Sequence, residues 1–154
     1  MTESGYTARA AMLVRKPVAE VYEAFVDPVI TSRFWFTDGS ARLDEVLPFG
    51  QEGTVTWTWT MHGATAEVAV TALELNRRIA IRWGEGEDTT PVEWTFTDRG
   101  DQGTFVEIAN GGLGTIEELA AATEGFTLVL ANAKAWLEYG LALNLVADRF
   151  PPDA

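Results

Sequence analysis

The stretch TVTWTWTM, residues 54–61, alternates threonine with Val55, Trp57, Trp59 and Met61. Period-two alternation marks a β-strand with one covered face and one wet face. The covered face is aromatic, so the question that decides the reading is what lies against Trp57 and Trp59. They are either ordinary core or one wall of a space that holds a second molecule.

The same pattern recurs outward from this strand. Candidate strands run over 41–47, 53–61, 64–75, 78–83, 91–97 and 104–110. They are joined by short polar segments: HG at 62–63, LNR at 75–77, GEGED at 84–88 and DRGDQG at 98–103. Such spacing predicts an antiparallel meander. The GEGED tip lacks the ligand pattern of a calcium loop and reads as a solvated hairpin tip. Upstream, 6–14 alternates loosely and predicts a first strand. Lys16-Pro17 opens a helix, with proline in its first turn. Val18, Val21, Tyr22 and Phe25 then share one helical face. Asp27-Pro28 ends it, and 30–36, carrying Phe34, Trp35 and Phe36, predicts a second short helix.

Downstream, NGGLG at 110–114 reads as a turn, and Thr115 with Glu118 forms a capping-box signature opening a helix over 116–122. A longer helix is expected over 124–146, with an apolar stripe of Phe126, Val129, Leu130, Ala133, Trp136, Leu137, Leu141 and Leu145. Gly125 and Gly140 interrupt it and read as close packing contacts, since mid-helix glycine costs about 1 kcal/mol relative to alanine. The order of elements predicts an α+β fold: a curved antiparallel sheet of about seven strands (β-α-α-β6-α) around a long C-terminal helix.

Bulk properties set outer bounds. A chain of 154 residues predicts one domain over 1–154, burying roughly two-thirds of its unfolded surface. A formal charge of −12 and a pI near 4.4 argue against nucleic acid and anionic membrane surfaces as partners. There is no cysteine, which excludes disulfides, thiolate metal sites and a cysteine nucleophile. The N-terminus MTESGYTARA has no signal-peptide core and no run reaches membrane-spanning length, so a cytoplasmic location is expected.

The segment VRKPVAEVYEAFVDPVITSRFW, 14–35, resembles the opening of START-like (SRPBCC) helix-grip proteins. EGFTLVLANAKAWLEYG, 124–140, is similar to the closing helix of the branch homologous to the activator of heat-shock protein 90 ATPase. Phe126 stands where that branch usually has tryptophan, and Ala133 where it often has leucine. The resemblance implies a helix-grip fold with a hydrophobic cavity between sheet and helix. It also implies a chaperone as an alternative partner, and a polyketide cyclase or dehydratase as an enzymatic alternative.

With that fold, the covered faces converge under the long helix. The expected pocket is lined by Trp35, Trp57, Trp59, Met61, Trp83, Trp94, Phe96, Phe126, Leu130 and Trp136, with small residues Ala64, Ala66, Val68, Val70 and Ala72 between the aromatic strands. Indole N–H groups would be its polar handles. No catalytic set accompanies it. His62 is the only histidine and sits in a turn; a zinc site wants several His or Cys ligands. Glu67, Glu93 and Glu107 lie out of phase with the apolar faces, with Arg82 available to pair on the outer surface. Tyr22 and Tyr139 are candidate hydroxyls that also fit amphipathic helix faces. The expected function is binding of a small hydrophobic or aromatic ligand, without a metal, cofactor or defined catalysis, by a monomer or homodimer.

Overall fold

The computed structural model describes residues 5–46, 53–60, 63–84 and 88–149. Met61, His62 and the centre of the GEGED tip lie outside them. The chain begins with β1 (Tyr6–Val14) and enters α1 (Val18–Val26) through Pro17, which is its N-cap. Val21, Tyr22 and Phe25 are buried on the predicted face. Asp27 ends α1 and caps α2 (Pro28–Thr31), its Oδ1 accepting from Val29 N at 3.0 Å while Pro28 occupies the first turn.

The second helix therefore starts before 30 and stops at Thr31, whose Oγ1 donates back to Ala24 O at 2.6 Å. The expected helix through 36 does not form, for a geometric reason. Phe34, Trp35 and Phe36 are all buried, and three consecutive helical residues, about 100° apart, cannot share one face. An irregular turn sends all three inward.

The segment 41–47 also departs from expectation. The edge strand is β2 (Asp38–Gly39), paired with β3 (Gly53–Trp59), and the chain then forms α3 (Leu43–Val46). Only Leu43 is buried in α3. Arg42 is held by Glu23 at 2.7 Å, Asp44 at 3.0 Å and Asp27 at 3.5 Å, which anchors this segment to α1.

The remaining strands follow the period-two reading: β4 (Ala64–Glu74), β5 (Arg78–Trp83), β6 (Thr90–Asp98) and β7 (Thr104–Leu113). The seven-stranded sheet has order β1-β7-β6-β5-β4-β3-β2 and every pairing is antiparallel. A register shift in β4 between Val70 and Ala72 places Leu73 opposite Ile79 on the core side, so the small-residue face ends at Val70 and Ala72 turns outward. Gly111 and Gly112 of NGGLG lie within β7 instead of a turn, and only Gly114 falls between β7 and the next helix. Gly112 (φ +71°) sits where β7 bulges against Tyr6 and Ala8 of β1.

One helix, α4 (Ile116–Tyr139), covers the concave face. Thr115 Oγ1 accepts from Glu118 N at 3.0 Å, while Glu118 Oε2 accepts from Gly114 N at 2.8 Å. The helix ends at Tyr139 and not near 146, because Gly140 adopts the left-handed conformation (φ +68°). Leu141 is consequently exposed, and the chain returns through α5 (Leu145–Arg149), which puts Val146 in the core. Among the described residues no helix is long and apolar enough to cross a membrane.

Candidate functional site

Trp35 is what lies against the tryptophans of β3. Carried inward by the turn after α2, its ring centroid is 5.0 Å from Trp57, 5.9 Å from Trp59 and Trp83, 6.0 Å from Trp94 and 6.1 Å from Phe126. Phe36 stacks on Trp57 at 5.0 Å and 27°. Most of the space between β3 and α4 is thus filled by edge-to-face and tilted rings, the geometry that aromatic quadrupoles favour. Asn132, buried on α4, fixes the turn by donating from Nδ2 to Phe34 O at 2.9 Å.

The filling is incomplete toward the β6–β7 side of the sheet. A cavity of about 210 Å³ is lined by Trp35 and Trp83, by Ala121, Ala122, Gly125, Phe126 and Val129 of α4, and by Asn110 and Val146. Trp83 and Phe126 stack on each other at 5.7 Å and 29°. Gly125 keeps helical geometry, and a Cβ built there meets nothing within 4 Å. Its missing side chain is therefore not a packing requirement, and Gly125 forms part of the cavity lining. A second hollow of about 180 Å³ lies across Trp35 and Val146, which line both, and is bounded by Asn132 and Leu143.

Asn110 supplies the only side-chain acceptor of the described lining, beside the indole N–H groups of Trp35 and Trp83. It is buried, and its Nδ2 donates to Pro91 O at 3.0 Å, Thr90 Oγ1 at 3.1 Å and Gly111 O at 3.2 Å. No titratable side chain is among the described lining residues. The arrangement can receive an apolar ring against Trp35, Trp83 and Phe126 and offer it an amide oxygen and indole N–H groups.

Residues 15–138 match the family described as Activator of Hsp90 ATPase homolog 1-like protein. The chain belongs to this family. A search of the curated proteins found no match. Among solved structures, protein SSP2350 from Staphylococcus saprophyticus is 28% identical with a TM-score of 0.77, the alignment covering 90% of this chain and 96% of that one. DynU16, a putative protein in the dynemicin biosynthetic locus, is 24% identical with a TM-score of 0.74 over 87% of this chain and 48% of its own. The Aha1 dimer from Colwellia psychrerythraea is 16% identical with a TM-score of 0.74, covering 88% and 98%. These likenesses, with the seven-stranded sheet and its covering helix, give the family member the helix-grip fold of START-like proteins.

The ten residues expected to line a pocket occupy different depths in this family member. Trp35, Trp83 and Phe126 meet at the cavity. Trp57, Trp59, Trp94 and Phe96 are buried in the aromatic cluster behind them, and Leu130 is fully buried under α4. Trp136 is half-buried, with the Arg33 guanidinium over its ring at 5.9 Å. Met61 lies outside the described residues. Asn110, Asn132 and the openness at Gly125 escaped the sequence reading. Asn110 was detectable, because it continues the alternation of Val106 and Ile108.

The remaining polar groups sit elsewhere. Glu93 pairs with Arg78 at 2.9 Å and Glu107 with Arg9 at 3.4 Å, while Glu67 accepts from Thr56 Oγ1 at 2.6 Å. Arg82 donates to Thr89. Tyr22 is buried edge-on to Phe96, and burial, followed by the nearby Asp44 and Glu23 charges, pushes its hydroxyl pKa up. Tyr139 is exposed. No cluster of three or more potential metal ligands occurs among the described residues.

Proposed function

We propose that this chain binds a small apolar, aromatic molecule in the cavity lined by Trp35 and Trp83 and by Ala121, Ala122, Gly125 and Phe126 of α4. Gly125 is the observation that carries the reading. Mid-helix glycine costs about 1 kcal/mol relative to alanine, and here neither packing nor backbone conformation requires it. Its effect is to hold open an apolar space edged by three aromatic rings. An engineered apolar cavity of about 150 Å³ stays dry and binds benzene, so about 210 Å³ accommodates one ring or a fused pair.

The test is Gly125→Leu, whose side chain has room to enter the cavity. Wild type in the presence of indole or naphthalene at a hundred times the dissociation constant should gain about 2.7 kcal/mol, roughly 5–10 °C in Tm for a domain of this size, with a change in tryptophan emission. Gly125→Leu should fold normally and show neither response. Equal shifts in both proteins would move binding away from this cavity and refute the assignment.

Membership of the activator-like family is the observation favouring a second reading, a contact that stimulates a chaperone ATPase. An unchanged turnover rate of heat-shock protein 90 with saturating amounts of this chain would remove it. For a cyclase-like activity, an acid or base would have to come from outside the described lining residues.

A further inference from the structure

We infer that Asn110 selects the ligand: the cavity takes a neutral one- or two-ring aromatic compound carrying a hydroxyl or N–H that donates to Asn110 Oδ1. This rests on the proposal that the cavity binds a ligand, and it adds what that ligand must carry.

The argument begins with the position of Asn110 on β7. Val106, Ile108 and Asn110 share the buried side of the strand, where an asparagine is costly unless its polar atoms are satisfied. Its donor half is satisfied. Two of the three partners of Nδ2, Pro91 O and Gly111 O, are carbonyls that only accept, so the orientation of the amide follows from its neighbours. Those bonds tie β7 to the start of β6, and this structural role uses the nitrogen alone.

The oxygen has no such task. None of the hydrogen bonds of Asn110 within the described structure uses Oδ1. Nor is that atom sealed in the core, where among the described side chains only Trp94 Nε1 is both buried and unpartnered. With Asn110 in the lining, Oδ1 is the one side-chain acceptor among the described lining residues. A donor brought there by a ring would satisfy it, and the ring would rest among Trp35, Trp83 and Phe126.

Charge narrows the class further. The described lining contains no Lys, Arg, Asp or Glu. An anion would enter without a counter-charge and meet a carbonyl oxygen within a protein of formal charge −12. A cation would likewise leave water with no carboxylate among the described lining residues to pair with it, so the ligand is uncharged at neutral pH, in the manner of a phenol, a naphthol or an indole.

Isosteric pairs test this by titration calorimetry at fixed salt and pH 7: p-cresol against p-xylene, and 2-naphthol against 2-methylnaphthalene. Removing a hydroxyl from water into a purely apolar cavity is unfavourable, so a cavity without a working acceptor favours the methyl compound. With Oδ1 engaged, the hydroxyl compound should bind about tenfold more tightly, the range of one net hydrogen bond. Asn110→Leu should reverse the preference, and Gly125→Leu should abolish binding of both members of each pair. Tighter binding of the methyl compounds by wild type would overturn the inference while leaving the cavity as a binding site. Binding of 2-naphthoate at the affinity of 2-naphthol would overturn its neutral-ligand part. No binding of any probe would remove the underlying reading, and this one with it. Should Asn110→Leu fail to fold, the wild-type comparison decides.

Discussion

Asn132 joins three parts of the molecule through one side chain. On α4 and nearly buried, it donates from Nδ2 to Phe34 O at 2.9 Å and accepts at Oδ1 from Leu145 N at 3.2 Å. It therefore holds both the turn that delivers Trp35 and the start of α5 that delivers Val146. Asn132→Ala leaves a buried carbonyl and a half-buried N–H without partners, each worth roughly 1–3 kcal/mol when orphaned. The expected loss is about 2 kcal/mol, a Tm lowered by roughly 4–8 °C in scanning calorimetry. A change within 1 °C of wild type, allowing about 2–4 °C per kcal/mol, would show that water replaces the amide without cost. Residues of this kind are hard to find by periodicity. A single polar residue inside an apolar stripe reads as noise, although Asn132 stands three positions from Val129, and Asn110 two from Ile108.

At the scale of the element, α4 carries two glycines with the same empty surroundings and opposite roles. Neither Gly125 nor Gly140 has an atom within 4 Å of a built Cβ, so the close-packing reading holds for neither. They differ in backbone conformation: Gly125 is helical, whereas Gly140 has φ +68° and terminates the helix. Alanine at 125 removes an entropic cost and should stabilise the fold by up to about 1 kcal/mol. Alanine at 140 is forced into the left-handed region and should destabilise it by about 1 kcal/mol. Urea midpoints of the two variants, read against wild type, check the sign; a loss at 125 would mean that the cavity holds something that a methyl group displaces. Helix ends were the least legible features for the same reason. A glycine looks alike in sequence whether it stops a helix or hollows one, and the exposure of Leu141 shows how far the apolar stripe misleads once Gly140 has turned the chain.

Across the whole molecule, β1 and β3 to β7 were legible because each satisfies a local rule, apolar residues on alternate positions between polar turns. By contrast, β2 is only Asp38–Gly39, carries no such pattern, and was missed in favour of 41–47. The concave surface was legible only as an inventory of aromatics. Which rings line a cavity and which fill it depends on Trp35, and its place was set by a turn that was read as helix. The grip itself has a second anchor, on the β1 edge, where α4 is fastened by charge. Lys134 Nζ donates to Leu13 O at 2.7 Å and to Glu138 Oε2 at 2.6 Å, and the same Glu138 oxygen accepts from Arg15 N at 2.8 Å. Burial alone would raise the Glu138 pKa, but the Lys134 and Arg15 N–H bonds outweigh it and hold the carboxyl below its ordinary range. A carboxylate with a lowered folded-state pKa contributes stability that is complete above the unfolded pKa of about 4.3 and is lost as pH falls through the folded value. Glu138→Gln should therefore be less stable than wild type at pH 7 by roughly 1.5–3 kcal/mol, the worth of a hydrogen bond to a charged group. The gap should close as acid protonates the wild-type carboxyl, leaving two neutral side chains of similar shape. Urea unfolding of both proteins at pH 7 and at steps below pH 4.3 measures it. A gap that stays constant or widens in acid would show that Glu138 holds α4 by shape and not by charge.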